Sequence, residues 1–170
     1  STGVRMKSLL AIFLTVVFAG SPAAALDQPK GPVILAIAGA VTQLNRDGMA
    51  VFDLAMLDAL QGRRATMDTP WTQGEVEFSG PMLREVLKAA GAEGRRLVVQ
   101  ALNGYSIEVP MSDALSLDTI LATRLDGKVM TVRTKGPSML VYPFDQDRSL
   151  YNEKYFARSV WQIKQIEVVK

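Results

Sequence analysis

Three tight-turn dipeptides partition this chain: Asp47-Gly48, Asn103-Gly104 and Asp126-Gly127 each separate two short apolar runs. Asx-Gly pairs supply the left-handed backbone that a short hairpin loop needs, so each marks two antiparallel strands. Residues 33–38 (VILAIA) precede the first turn, at 45–48, and residues 49–52 return from it. Residues 97–101 and 105–109 flank the second turn, and residues 119–123 and 130–133 flank the third. Another apolar strand is expected at 139–143. In the last segment, 160–169, Trp161 and Ile163 fall out of phase with Ile166 and Val168, which predicts a bulge.

Helices fit between these hairpins. Asp53 is placed to cap a helix reaching about Leu60, with Phe52 stapled onto Leu57. Pro81 is read as the first position of a second helix, with Leu83, Val86, Leu87 and Ala90 on one face and Gly91 as its terminator. Residues 112–115 suggest a single helical turn. Two stretches, 63–74 and 144–158, are polar enough to read as long loops. The expected class is α+β, hairpins around a β core with two or three short helices, and no repeat or internal boundary divides it.

The first 25 residues have a separate logic. Arg5-Met6-Lys7 is a short basic segment, residues 8–20 are apolar, and small residues follow up to Ala23-x-Ala25. That is the order of a secretory signal peptide, with Met6 read as the biological start. The run is shorter than the roughly 20 residues of a spanning helix, so cleavage is favoured over an uncleaved anchor. The expectation is a leader over 1–25 and one exported domain over 26–170, in a bacterial periplasm. Arg5 and Lys7 account for the entire excess of 19 Lys+Arg over 17 Asp+Glu, so the domain is formally neutral. No basic run exceeds Arg63-Arg64 or Arg95-Arg96, and nucleic acid is not an expected partner.

The chain contains no cysteine and no histidine. Thiolate nucleophiles, disulfides, Cys or His metal sites and imidazole bases are therefore excluded from its own side chains. Ser106, Ser138 and Ser159 have no histidine to activate them, and Lys135-Gly136-Pro137 lacks the glycine run of a phosphate-binding loop. Asp145, Asp147 and Glu153 stand among Arg148 and Lys154 without calcium-loop spacing, and read as a solvated charged loop. No catalytic or metal-ligating residue is assigned.

A flat heterocyclic ligand is better supported. Trp71 sits in a polar stretch with Asp68, Thr69 and Thr72, where an indole face can stack on a ring while neighbours read its edge. The alternative for Trp71 is a plug into the core. Tyr142, Tyr151, Tyr155 and Phe156 make the later segment aromatic, and Trp161 is read as a core strand residue.

Five segments in order, FDLAMLDAL, FSGPMLREVLKAAGA, ALNGYSIEVPMSDA, ILATRLDGKVMTVRTKGP followed by MLVYP, and SVWQIKQIEV, resemble the small bacterial members of the sulfite oxidase-type molybdopterin-binding domain family. The resemblance spans essentially all of 26–170 and implies that family's mixed α+β fold. Enzymes of the family ligate molybdenum through a cysteine that would fall near residues 67–69, and use an arginine, near Met139 here, on the cofactor phosphate. With neither present, the molybdenum cofactor is not expected to be retained. The pattern is similar to a non-catalytic subgroup of exported pterin-binding proteins that pair with the periplasmic domain of a membrane cyclic di-GMP cyclase/phosphodiesterase. The resemblance then implies an unphosphorylated pterin stacked on Trp71. Edge contacts would come from the neighbourhood of Thr69, Asn103 and Tyr105 and from the Arg158, Ser159 and Lys164 segment. A molybdopterin-dependent oxidoreductase, or a subunit of one, is the alternative, and a protein-binding scaffold with a vestigial pocket is a third. Homodimerisation has no specific sequence feature.

Overall fold

A computed structural model describes residues 2–3 and 25–170. The expected export segment lies outside the described residues, save for its ends. The elements in order are β1 (Val33–Gly39), β2 (Ala50–Asp53), α1 (Leu54–Asp58), β3 (Gly62–Asp68), β4 (Glu75–Pro81), α2 (Leu83–Ala89), β5 (Arg96–Ala101), β6 (Ser106–Pro110), α3 (Ser112–Leu115), β7 (Ile120–Ala122), β8 (Arg124–Leu125), β9 (Lys128–Val129), β10 (Met139–Val141), α4 (Glu153–Arg158) and β11 (Ile163–Val169). Short 3-10 turns occupy Val132–Thr134 and Arg148–Leu150. Among the described residues no helix is long and apolar enough to cross a membrane.

The strands form three sheets. A five-stranded sheet has the order β2-β1-β11-β5-β6, in which β1 and β11 are parallel and the other pairs antiparallel. A four-stranded sheet has the order β3-β4-β8-β9, and β7 pairs with β10. Two apolar clusters correspond to this division. Leu35, Ile37, Phe52 and Leu57 pack with Leu83, Val86 and Leu87 of α2 over the first sheet. Met67, Phe78, Ile120, Met139, Tyr142 and Phe144 form the second cluster. Burial of this apolar surface is the main favourable term holding each layer.

All three Asx-Gly turns are present, with Gly104 at φ 88° and residues 126 and 127 at φ 49° and 77°. Asp53 caps α1 by accepting from the Met56 N–H at 2.8 Å, while its other oxygen accepts from the N–H groups of Lys30 and Gly31 at 2.8 and 3.0 Å. Those backbone donors hold its carboxyl below the usual range. The phase slip in the last strand is present as a register shift between Ile163 and Gln165, preceded by Gln162 at φ 52°.

Other local expectations are corrected. Residues 62–68 are a strand, not loop, and pair with a strand over 75–81 where only the start of a helix, at Pro81, was expected. In β3, Ala65 and Met67 point into the second core while Arg64, Thr66 and Asp68 alternate outward, and the charged outer positions disguise the two-residue period. Pro81 ends β4 opposite Gly62, and Met82 takes the N-cap of α2. A proline needs no donor at a strand end, so the same residue fits either role. The third hairpin joins residues 124–125 to 128–129, not 119–123 to 130–133: β7 pairs with β10 instead, and Thr131 caps a 3-10 turn. The helix after Asp53 stops at Asp58. Within 144–158, Asn152 accepts from the Lys154 and Tyr155 N–H groups and starts α4, giving four short helices in all among the described residues.

Candidate functional site

A cavity of about 390 Å³ opens where the β5–β6 hairpin, the loop after β3 and the end of α4 meet. That volume lies in the range of about 300–1,000 Å³ typical of small-molecule sites. Its aromatic wall consists of Trp71, Phe156 and Trp161. Trp71 meets Phe156 at 5.8 Å between ring centroids and Trp161 at 5.4 Å, both edge to face. Phe156 continues into Phe144 and Tyr151, so the second core supports the wall from behind.

Each wall residue is held by local chemistry. Trp71 follows Thr69, whose hydroxyl accepts from the Trp71 N–H at 3.3 Å and lies 2.9 Å from the Thr72 hydroxyl. Thr69 is buried and acts on the position of Trp71 rather than facing the cavity. Trp161 precedes the bulge of β11, and Lys135 Nζ stands 5.3 Å from its ring centroid. The cavity's hairpin side carries Asn103 and Tyr105. Asn103 Oδ1 accepts from the Tyr105 N–H at 3.0 Å, and the Tyr105 hydroxyl donates to the Ala157 main-chain carbonyl at 2.9 Å, tying hairpin to helix. Ser159 donates its hydroxyl hydrogen to the Tyr155 carbonyl at 2.7 Å.

The structure therefore brings Trp71, Asn103, Tyr105 and Ser159 to one cavity and sets three other expected residues elsewhere. Thr69 lies behind Trp71. Arg158 turns inward and donates to Asp113 Oδ2 at 2.9 Å. Lys164 borders a separate depression with Val33, Leu102 and Pro137. Trp161, expected as a core strand residue, instead lies half-buried just before β11 and lines the cavity, and Phe156 and Glu153 of α4 join it there, although none of the three was expected at the site. The helix N-cap at Asn152 is the signal that would have turned residues 153–158 into a wall.

Beneath the site is a buried polar triad. Asp113 of α3 accepts from Arg158 and, at 2.8 Å on the same oxygen, from the Tyr142 hydroxyl. Burial, aided by the Asp113 charge, pushes the Tyr142 phenol far above its ordinary range, so it remains a neutral donor. The Thr119 hydroxyl donates to the Asp113 carbonyl at 2.7 Å. Two further buried hydroxyls, of Thr123 and Ser138, have no partner among the described residues; they flank the paired Ala122 and Met139.

A family model for the oxidoreductase molybdopterin binding domain matches residues 54–170. The chain belongs to that family. Its fold is similar to the sulfane dehydrogenase SoxCD from Paracoccus pantotrophus, with a TM-score of 0.59 and 19% sequence identity. The match covers 80% of this chain and 38% of that one, so this chain spans well under half the length of the chain it matches. No curated protein sequence matches it significantly. The sulfite oxidase-type α+β fold expected from the ordered motifs is the observed one.

Proposed function

We propose that this chain is a non-catalytic, exported pterin-binding protein of the periplasm, which conveys pterin availability to the periplasmic domain of a membrane cyclic di-GMP cyclase/phosphodiesterase. The observation that carries the ligand class is the aromatic cavity, three flat side chains beside the polar edge formed by Asn103, Tyr105 and Ser159. Aromatic walls with a few placed polar groups suit a planar, hydrogen-bonding heterocycle. The export and partner parts of the proposal rest on the leader pattern and on the resemblance to the exported subgroup.

The donor set does not fit molybdenum. The chain has no thiolate and no imidazole, and the described residues contain no group of three or more acidic side chains arranged to hold a metal ion. Near the position where family enzymes place their cysteine, Met67 is buried in the second core and Thr69 is occupied with Thr72 and Trp71. Signalling by such a protein requires the pterin to favour one conformation or assembly over another.

A second reading, a molybdopterin-dependent oxidoreductase or a subunit of one, is favoured by the family match and by the two unpartnered hydroxyls beside Met139, where the resemblance puts the cofactor-phosphate contact. Identification of the small molecule that copurifies from the native host decides between the readings. A metal-free pterin is expected, and stoichiometric molybdenum would overturn the non-catalytic proposal. Trp71→Ala should lose saturable pterin binding in a fluorescence titration while thermal unfolding stays cooperative. Unchanged affinity would remove Trp71 from the site. A chain that carries no pterin would instead point to a scaffold with a vestigial cavity.

A further inference from the structure

Of the three acidic residues in 144–158, two are accounted for by the fold. Asp145 pairs with Arg63, and Asp147 accepts from the Ser149 N–H and hydroxyl at 2.9 and 2.6 Å. Glu153 has neither an ion pair nor a side-chain hydrogen bond among the described residues, and it borders the aromatic cavity. Nearby cations are engaged elsewhere: Lys154 lies over Tyr155, and Arg158 is held by Asp113.

The hydrogen-bonding capacity left at this cavity follows from the bonds its lining has already made. Tyr105 and Ser159 have already given their hydroxyl hydrogens to the Ala157 and Tyr155 carbonyls, so toward a ligand they can only accept. A Glu carboxylate also only accepts. Asn103, whose side-chain oxygen is occupied by the Tyr105 N–H, keeps its amide N–H groups as donors, and the indole N–H groups of Trp71 and Trp161 have no acceptor among the described residues. The site therefore suits a flat ligand that offers N–H groups to these three acceptors and ring or carbonyl acceptors to the amide and indole donors.

We infer that Glu153 pairs with the N–H-bearing amidine edge of the heterocycle and makes the cavity selective for 2-amino-4-oxopteridines over 2,4-dioxopteridines. The inference rests on the pterin reading of this cavity. A 2-amino-4-oxopteridine presents an exocyclic amino group and an adjacent ring N–H side by side, which match the two oxygens of a carboxylate, and its 4-oxo group can accept from an amide. Replacing the amino group with a second carbonyl sets an oxygen against the carboxylate, and an unmatched polar pair is the strongest route to discrimination in such sites. Glu153 is thus a specificity-determining residue rather than part of the aromatic platform.

The test compares pterin and lumazine, its 2,4-dioxo analogue, by quenching of tryptophan fluorescence on ligand-free protein, for the native chain, Glu153→Gln and Trp71→Ala. The native chain is expected to prefer pterin by tenfold or more. Glu153→Gln, a change on the exposed first turn of α4, should weaken pterin by tenfold or more, leave lumazine within threefold and leave the melting curve unchanged. If the native chain prefers pterin and Glu153→Gln keeps that preference, the role of Glu153 is overturned while the pterin reading stands. If the native chain binds neither compound saturably, the pterin reading fails, and the inference with it.

Discussion

Arg158→Met tests how the cavity's helical wall is anchored. Arg158 ends α4 and reaches Asp113 on α3, where the Tyr142 hydroxyl converges on the same carboxylate oxygen. The two charged side chains are 18% and 9% exposed, so the pair is shielded without being fully dry. Removing one partner of a buried pair costs about 3–5 kcal/mol, mainly because the other charge is left uncompensated. Here Tyr142 still donates to Asp113 and some solvent reaches the guanidinium, which lowers the expected cost to about 2–3 kcal/mol. Methionine retains the apolar stem of the arginine, so the loss reports the charge rather than the packing. Tyr142→Phe removes a hydrogen bond to a charged acceptor and should cost about 1.5–3 kcal/mol. Because both donors serve one oxygen, the double variant should depart from additivity by at least about 0.5 kcal/mol. Adding Asp113→Leu removes the stranded charge and should recover about 1–4 kcal/mol relative to that double variant. Urea unfolding at neutral pH measures each quantity, with an unchanged denaturant slope as the check that the unfolding reaction is the same. A cost below about 0.5 kcal/mol for Arg158→Met, the level of an exposed pair, would refute the anchoring role.

Two further predictions concern the fold. Asp53→Asn should lower stability near neutrality. Since backbone donors hold the native carboxyl below its ordinary value of 3.8, the stabilisation is present above that pH and is lost as pH falls through the folded-state value. The deficit of the variant should therefore close in acid, and a pH-independent deficit by chemical denaturation would contradict the assignment. Gly39→Ala and Gly104→Ala should differ sharply although both glycines have positive φ, 84° and 88°. A β-carbon on Gly39 would overlap the Val168 carbonyl oxygen across the β1–β11 pair, whereas Gly104 has open space around it. About 3 kcal/mol or more is expected at Gly39 from strain plus overpacking, and about 1–2 kcal/mol at Gly104 from backbone strain alone. Equal costs would show that the close approach is relieved cheaply.

Much of this fold was legible because its signals are local. Asx-Gly turns, the Asp53 cap and the phase slip before Ile166 each lie within a few residues of the structure they dictate. The β3–β4 ladder was not legible, since its outward positions carry Arg64, Thr66 and Asp68 and its inward positions include small Ala65, leaving no continuous apolar run. Long-range ion pairs, Arg63 to Asp145 and Asp68 to Arg148, tie both ends of β3 to the segment 145–148, and neither pairing has a local signature. Pro81 was misplaced because a proline at a strand end and a proline at the first helical position read alike before the partner strand is known.

The candidate site shows the same limit in a form that bears on function. Aromatic residues can be found in a sequence, but Trp71, Phe156 and Trp161 come from three separate segments that only the tertiary fold brings to one cavity. Arg158 reads as an available cation until Asp113, on another helix, is seen to hold it. Selectivity lies one level deeper. The hydroxyls of Tyr105 and Ser159 are donors by composition and acceptors by context, because main-chain carbonyls of α4 have taken their hydrogens. Those two bonds, with the carboxylate of Glu153 that has no partner among the described residues, set three acceptors around a generic aromatic slot. An aromatic slot alone would stack most flat rings about equally, so any preference for an amino-substituted pteridine must come from that acceptor pattern.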